Sequence, residues 1–420
     1  MGTALVPRRP WKDRRVVLGV TGGIAAYKSV QLARDLTRLG AVVDVVLTKS
    51  AQEFVVPLSF EGVTGRPALS DLFSAEGAAL HIRLGRDADV VCVAPAGADF
   101  LARAAQGRAD DLICTTLLAT TAPVLVCPAM NDRMFAHRQV QANLAHCRDV
   151  LGYRIVGPGQ GALAAGEGQG PGRMLEPWQI REAVGRALAD ASPLAGKRVL
   201  VTAGPTREPI DPVRYVGNRS SGRMGYALAA AAWRRGAEVT LVSGPSALDA
   251  PYGVERIPVE TAVEMDAAVS ERVGAADVTV FAAAVADYRP RDPSGGKIKR
   301  EDAGGALVIE LEENPDVALG SRKARKAGSV SVGFALETDD LEANARKKLE
   351  KKGFDLLVAN DAGEEGAGFE VDTNRVTVFH DGGEREEFPL LSKDEVAEEI
   401  LDRVEERLAG PDGNRPGGEA

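Results

Sequence analysis

Four cysteines and four histidines are all that 420 residues supply of the softer metal ligands. Cys92, Cys114, Cys127 and Cys147 stand 22, 13 and 20 positions apart with no Cys-X-X-Cys, which argues against a disulfide framework or a thiolate zinc site. Cys92 and Cys114 fall in apolar segments, where a thiol serves as a small core residue. His81, His137, His146 and His380 are too scattered for a histidine metal cluster. Long apolar runs are also missing. No window approaches 18 consecutive apolar residues, so no membrane span is expected. The first fifteen residues mix Pro, Arg and Lys without the apolar run of a secretory signal, and a cytoplasmic location is expected. Basic charge is in short supply as well. Fifty-one Lys and Arg against 60 Asp and Glu leave a net charge of −9. That balance argues against general nucleic-acid or anionic-membrane binding and leaves room for a local basic pocket.

What is present is ordinary for a globular chain, 45% apolar and 26% charged, at a length suited to two or three domains. The chain states one architectural idea twice. Val16 to Val20 is a short apolar run, followed by Thr21-Gly22-Gly23 and a stretch with Leu32, Leu36 and Leu39 on one helical face. Gly40 stops that helix and Val42 to Leu47 reads as a strand. In the second half Val199 to Val201 reads as a strand and a long loop follows. Ser221-Gly222 opens an Ala-rich helix, Gly236 ends it, and Val239 to Val242 is the next strand. Ala88 to Val93 and Ala276 to Phe281 match in the same way. Near-continuous apolar strands alternating with helices imply two doubly wound, Rossmann-like α/β domains with mainly parallel sheets. The seam is expected near Asp190 to Gly196, and the Gly- and Pro-rich residues 410–420 as a frayed tail.

Ligands of such folds sit beyond the C-terminal strand ends. In the first half, Gly19-Val-Thr-Gly22-Gly23-Ile-Ala-Ala-Tyr-Lys28 joins a strand to a helix, a geometry that lets backbone approach a phosphate. Gly157-Pro-Gly159-Gln-Gly161-Ala162 matches GxGxxA, but no helical pattern follows it, so a dinucleotide loop is not indicated. His81, Pro128-Ala-Met-Asn131 and the Gly-rich stretch from Leu163 to Met174, too mobile to pack by itself, add side chains suited to chemistry. With Ala94-Pro-Ala-Gly-Ala-Asp99, these segments over about residues 15–185 resemble the flavin-dependent cysteine decarboxylases, specifically the decarboxylase half of coenzyme A biosynthesis, and imply such a domain over 15–189 after an N-terminal extension over 1–14. The resemblance implies a flavodoxin-like domain with FMN held by Thr21, Gly22, Gly23, Ile24, Ala25, Thr48, Pro95, Ala96 and Asp99. It also implies His81 and Asn131 at the substrate carboxylate, the amide as donor and the imidazole to handle a proton. Two positions depart from the family pattern. Ala165 stands where the loop usually reads Leu-Ala-Cys-Gly and supplies a proton donor, and Gly97 replaces a Ser or Thr.

In the second half, Thr202-Ala-Gly-Pro-Thr-Arg-Glu-Pro-Ile-Asp-Pro-Val-Arg-Tyr215 carries three prolines and reads as a long ordered loop. It runs into Asn218-Arg-Ser-Ser221-Gly-Arg-Met-Gly225, where Ser220 or Ser221 suits a helix N-cap. Ala282-Ala-Ala-Val-Ala-Asp287-Tyr, Lys297-Ile-Lys-Arg300, Asn314-Pro-Asp316 and Val332 to Thr338 come next. Lys348 and Lys352 share one helical face. In this order, over about residues 196–400, the segments closely resemble phosphopantothenate–cysteine ligase, and imply such a domain over 190–409. The resemblance implies a CTP-dependent reaction through an acyl-cytidylate, with Mg²⁺ on the triphosphate. Phe281, Ala282, Ala283, Asp287, Lys297, Asp316, Val317, Ala318, Leu319, Phe334, Lys348 and Lys352 are implied at the nucleotide. Asn218 and Arg214 are implied at the phosphopantothenate. It also implies a homo-oligomer of flavin-domain trimers joined by ligase-domain dimers, acting on small molecules with no nucleic acid or membrane. Two rival readings are a flavoprotein half that stops at the oxidised ene-thiol and a regulatory module that only binds flavin.

Overall fold

The computed structural model describes residues 9–73, 79–162, 168–189, 191–299, 306–337, 340–361 and 372–410, and within it the chain divides at position 190 into two units. In the first, β1 (Arg15–Val20), β2 (Val42–Leu47), β3 (Val90–Ala96), β4 (Val124–Pro128) and β5 (Arg154–Ile155) form one parallel sheet in the order β2-β1-β3-β4-β5. This is the flavodoxin-like order. Every residue of β3 and β4 is buried, as strands covered on both faces require.

Helix α1 (Ala26–Arg38) follows β1, turns Leu32 and Leu36 inward, and gives way at Gly40, whose φ of +92° suits a residue without Cβ. It packs with α2 (Pro57–Thr64) and with α8 (Pro177–Leu188). On the other face α3 (Leu80–Asp87), α4 (Ala98–Ala105), α5 (Leu112–Ala119) and α7 (Arg138–Asp149) enclose a core of Val91, Val93, Leu101, Ile113 and Val126. The short α6 (Asp132–Ala136) leads into α7. All four cysteines are buried free thiols, and burial pushes Cys147 up to about 11.

One feature differs from expectation. The glycine-rich stretch expected to be too mobile to pack is anchored on both sides of residues 163–167, which lie outside the described residues. There β6 (Gly159–Ala162) pairs antiparallel with β7 (Gln169–Arg173). The Gly172 carbonyl accepts the Met130 N–H at 3.0 Å, and a Cβ on Gly172 would stand 2.3 Å from the Met130 oxygen. Upstream of β1, Trp11 is 1% exposed and its indole N–H donates to the Arg181 carbonyl of α8 at 3.3 Å, so this side chain belongs to the core.

In the second unit, β8 (Arg198–Ala203), β11 (Glu238–Ser243), β12 (Glu255–Pro258), β13 (Val278–Phe281), β16 (Val330–Glu337) and β17 (Leu356–Asp361) run parallel. With antiparallel β19 (Thr377–His380) and β20 (Arg385–Glu387) the sheet order is β12-β11-β8-β13-β16-β17-β19-β20. Helices α9 (Arg223–Arg234) and α13 (Lys393–Ala409) cover one face over Val201, Val280 and Val332. On the other, α10 (Ala262–Arg272), α11 (Val317–Gly320) and α12 (Leu341–Lys352) pack over Leu200, Phe281 and Leu357.

The pair α9–α13 is fastened by charge. Arg234 and Arg235, 3% and 8% exposed, both donate to Glu398, 5% exposed, at 2.7 and 2.8 Å. Of the proline-bearing loop, part forms a small antiparallel pair, β9 (Arg207–Pro209) with β10 (Tyr215–Gly217). Further out, β14 (Tyr288–Pro290) pairs with β15 (Leu311–Glu313), and β18 (Thr373–Asn374) with β21 (Leu391–Ser392). Among the described residues no helix is long and apolar enough to cross a membrane.

Candidate active sites

Each unit opens a cavity at the C-terminal ends of its parallel strands. The first measures 1110 Å³ and is lined by the turns after β1, β2, β3 and β4. Thr21, Gly22, Gly23, Ile24 and Ala25 form its β1 wall, Thr48 its β2 wall, Asp99 its β3 wall and Asn131 its β4 wall. Helix α1 follows its N-cap Ala25 with no side-chain cap, and Ala25 lines the cavity. A Cβ on Gly22 would lie 2.6 Å from Ser50, while Gly23 faces open space. Bare backbone therefore presents itself where an anion can reach it.

Thr21 is a tie between strands. Its hydroxyl donates to the Pro95 carbonyl at 2.8 Å and accepts the Gly97 N–H at 3.0 Å. Pro95 and Ala96 are buried behind this tie and do not line the cavity. Lys28 is 7% exposed and donates to the Met174 carbonyl and to Glu176, at 3.2 and 2.9 Å. Desolvation opposes ionisation of Glu176, yet Lys28 and Arg173 outweigh it and hold the carboxyl below its usual range. Asp99, in the first turn of α4, pairs with Arg103 at 3.0 Å. Asn131 caps α6, its oxygen accepting the Arg133 N–H at 2.9 Å, which leaves the amide nitrogen to donate. His81 lies on α3, half-buried, with no hydrogen-bond partner for Nδ1, and does not line its own unit's cavity.

The second cavity, 450 Å³, runs over the C-terminal edge of the larger sheet. Phe281, Ala282, Ala283, Asp287, Asp316, Val317, Ala318, Phe334, Lys348, Lys352 and Asn218 all line it. The ledge after β13 is pinned by side chains. The Asn218 amide donates to the Val285 carbonyl at 2.9 Å, Asn314 to the Ala286 carbonyl at 2.9 Å, and Thr206 accepts the Ala286 N–H at 2.9 Å. Asp316 caps α11 through the Leu319 N–H at 3.1 Å and pairs with Lys352 at 3.0 Å. Desolvation works against its charge, but that N–H and Lys352 hold the carboxyl low. Four cations, Arg223, Lys348, Lys352 and Lys393, meet two carboxylates, Asp287 and Asp316, in this lining. The local excess is positive within an acidic chain.

Three expected residues lie outside this lining. Leu319 supplies its backbone to the Asp316 cap. Lys297 is exposed, and its neighbour Ile298 accepts from Arg214 at 3.0 Å, so Arg214 and the Lys297 bend stand together outside the lining. Neither Ser220 nor Ser221 is the N-cap of α9. Gly222 takes that place with φ of +80°, no side-chain cap follows, and a Cβ there would lie 3.2 Å from the Gly204 backbone. Lining residues that the sequence did not single out include Ser50, Asn360, Asn374 and Lys393. No local spacing marks these four, because distant turns bring them to the sheet edge.

Two doubly wound units, each with an uncapped helix start opening on a cavity at the strand ends, define a tandem of anion- and nucleotide-binding α/β enzyme domains. Residues 6–188 match the family described as Flavoprotein, and residues 194–408 the DNA/pantothenate metabolism flavoprotein C-terminal domain. The chain is 46% identical over 394 residues to the coenzyme A biosynthesis bifunctional protein CoaBC of Vibrio vulnificus, covering 93% of this chain and 97% of that one. The Bacillus subtilis protein of the same name is 44% identical over 402 residues, covering 93% and 97%. A crystal structure of the C-terminal domain of such a protein is 44% identical over 52% of this chain and 98% of its own, with a TM-score of 0.44. The chain belongs to this family, the bifunctional decarboxylase–ligases of coenzyme A biosynthesis. Similarity along the whole of such enzymes does not favour a module that only binds flavin.

Proposed function

We propose that the second unit joins 4′-phosphopantothenate to cysteine at the cost of CTP, and that the first, holding FMN, decarboxylates the product to 4′-phosphopantetheine. The observation that carries the ligase half is the positive excess around the second cavity, against an overall charge of −9. A carboxylate is a poor electrophile, and esterifying it to CMP supplies a leaving group that an amine can displace. Phe281 and Phe334 provide apolar surface for a base, and Lys348 and Lys352 compensate phosphate charge. Asn218 is fixed on the ledge at which the acyl group is presented, and Lys297 with Arg214 meets the substrates from the cavity's side. Mg²⁺ enters with the triphosphate, since the described residues hold no cluster of three or more His, Cys, Asp or Glu suited to a metal.

The first cavity fits FMN. Bare backbone at Gly22 and Gly23, the uncapped start of α1 and the Thr48 and Ser50 hydroxyls suit a phosphate. When bound, FMN supplies a reversible two-electron oxidation beside the thiol, which creates the sink needed for loss of carbon dioxide. The Asn131 amide holds the substrate carboxylate, and His81 handles the proton. Because His81 lies outside its own unit's lining, its role requires delivery by a neighbouring copy. The proposed homo-oligomer of flavin-domain trimers joined by ligase-domain dimers also accounts for Phe54, Val56 and Leu58, which are 51%, 56% and 72% exposed.

Purified protein given phosphopantothenate, cysteine and CTP tests the whole reading. Products followed by mass should include phosphopantothenoylcysteine and then phosphopantetheine. A yellow protein that consumes no CTP would overturn the ligase half.

A further inference from the structure

The second cavity has an end that the nucleotide reading leaves unused. Asn374, on β18, is 4% exposed and lines the cavity, yet its Oδ1 has no hydrogen-bond partner. A buried acceptor of this kind is costly unless a ligand donates to it. Phosphate oxygens are acceptors themselves and do not fill that need; an ammonium or amine does. Pairing of β18 with β21 places Lys393 beside it, the first residue of α13 and 6% exposed, its backbone N–H held by the Asp372 carbonyl at 3.0 Å. Across the same end stands the start of α9, a helix of twelve residues with no side-chain cap, and Arg223, which pairs with Asp372. A donor-hungry amide, a buried amine and a cationic helix start together match an amine and a carboxylate on one carbon.

We infer that Asn374, Lys393 and Arg223 form the subsite for the amino-acid substrate of the ligation, with Lys393 taking the proton from its ammonium. Asn374 accepts from the amino group, and Arg223 with the α9 start receives the carboxylate. Cysteine enters as an ammonium and cannot attack until it loses that proton to Lys393 Nζ. The neutral nitrogen then forms its bond to the acyl carbon, the bond from that carbon to the CMP oxygen breaks, and CMP leaves with the electron pair. The second proton of the nitrogen passes to solvent. Among the other groups in the lining, Asp316 is ion-paired to Lys352 and held low, an arginine does not give up its proton, no histidine is present, and Asp287 and Lys348 come from the ledge and helix already assigned to the nucleotide. Burial first, then the nearby Arg223, push Lys393 down to about 8, and Asp372 only partly opposes them. The amine is thus able to exchange a proton near neutral pH.

The inference rests on the ligase reading, and the two-step chemistry separates their failures. Full-length Lys393→Met and Asn374→Ala would be assayed first for pyrophosphate release from CTP and phosphopantothenate without cysteine. Isolated acyl-cytidylate would then be offered to cysteine. Lys393→Met should slow amide formation by about 100-fold or more, on the scale of a lost general base, and flatten its rise with pH through 8. Hydroxylamine, unprotonated at neutral pH, should react at the parental rate. Asn374→Ala should raise the KM for cysteine and leave pyrophosphate release alone. Parallel loss of pyrophosphate release would assign this end to the nucleotide and overturn the inference, as would unchanged amide formation or an equal loss with hydroxylamine. Absence of pyrophosphate release in the parental protein would instead refute the ligase reading.

Discussion

Asn131 shows how one side chain can be divided between fold and chemistry. Its oxygen caps α6 and its nitrogen is left to donate. Asn131→Asp keeps an acceptor for the cap but replaces the donor with a negative charge facing the substrate carboxylate. Carbon dioxide release should fall by about 100-fold or more while flavin absorbance stays with the protein, and His81→Asn should behave alike. Flavin lost together with activity would show both residues to be structural. In the ligase unit, replacing Asn218 should spare the acyl-cytidylate and impair its conversion to amide, whereas replacing Lys297 should suppress activation itself. Quenched-flow separation of the two half-reactions checks this, and parental rates in both would refute the placement. Ala165 lies outside the described residues and carries no proton to give. Ala165→Cys should hasten the reductive second half-reaction of decarboxylation without changing the first, read by mass after a single anaerobic turnover.

At the scale of elements, α9 and α13 are fastened electrostatically as well as by their shared core. Glu398 of α13 is shared by Arg234 and Arg235, and its removal leaves guanidinium groups buried with too little counter-charge, Arg235 retaining Asp402 and Glu405. Glu398→Ala should therefore cost about 3 kcal/mol, seen as faster amide exchange in α9 and α13. Elements of this kind were legible where burial is two-sided. Val42 to Leu47 is a strand over the expected residues, and Val16 to Val20 and Val239 to Val242 fall within β1 and β11. Side-chain pattern carries no information where side chains are absent, so the pairing of β6 with β7 was not legible in a glycine run. The start of α9 was misjudged for a related reason. Serine is the common cap, but backbone crowding against Gly204 admits only glycine. Motifs pointed to Asn218, Asp316 and Lys352 at the cavity, while Asn374 and Lys393 arrive from a strand pair and helix start without a local pattern.

At the scale of the molecule, two chemistries share one chain, and the product of one is the substrate of the other. The Asn131→Asp protein should accumulate phosphopantothenoylcysteine at the parental rate of ligation, since the altered site belongs to the other unit. Slowed ligation would reveal coupling between the units. The buried Trp11 has a practical corollary for anyone dividing the chain. An expression boundary drawn at Arg15, where the first strand begins, would remove an indole seated against α8 and open a hole the size of an aromatic ring in the flavoprotein half. A fragment started at Arg9 retains that indole, so loss of yield or of bound flavin in the shorter piece would report the missing tryptophan and not a failure of the domain to fold alone.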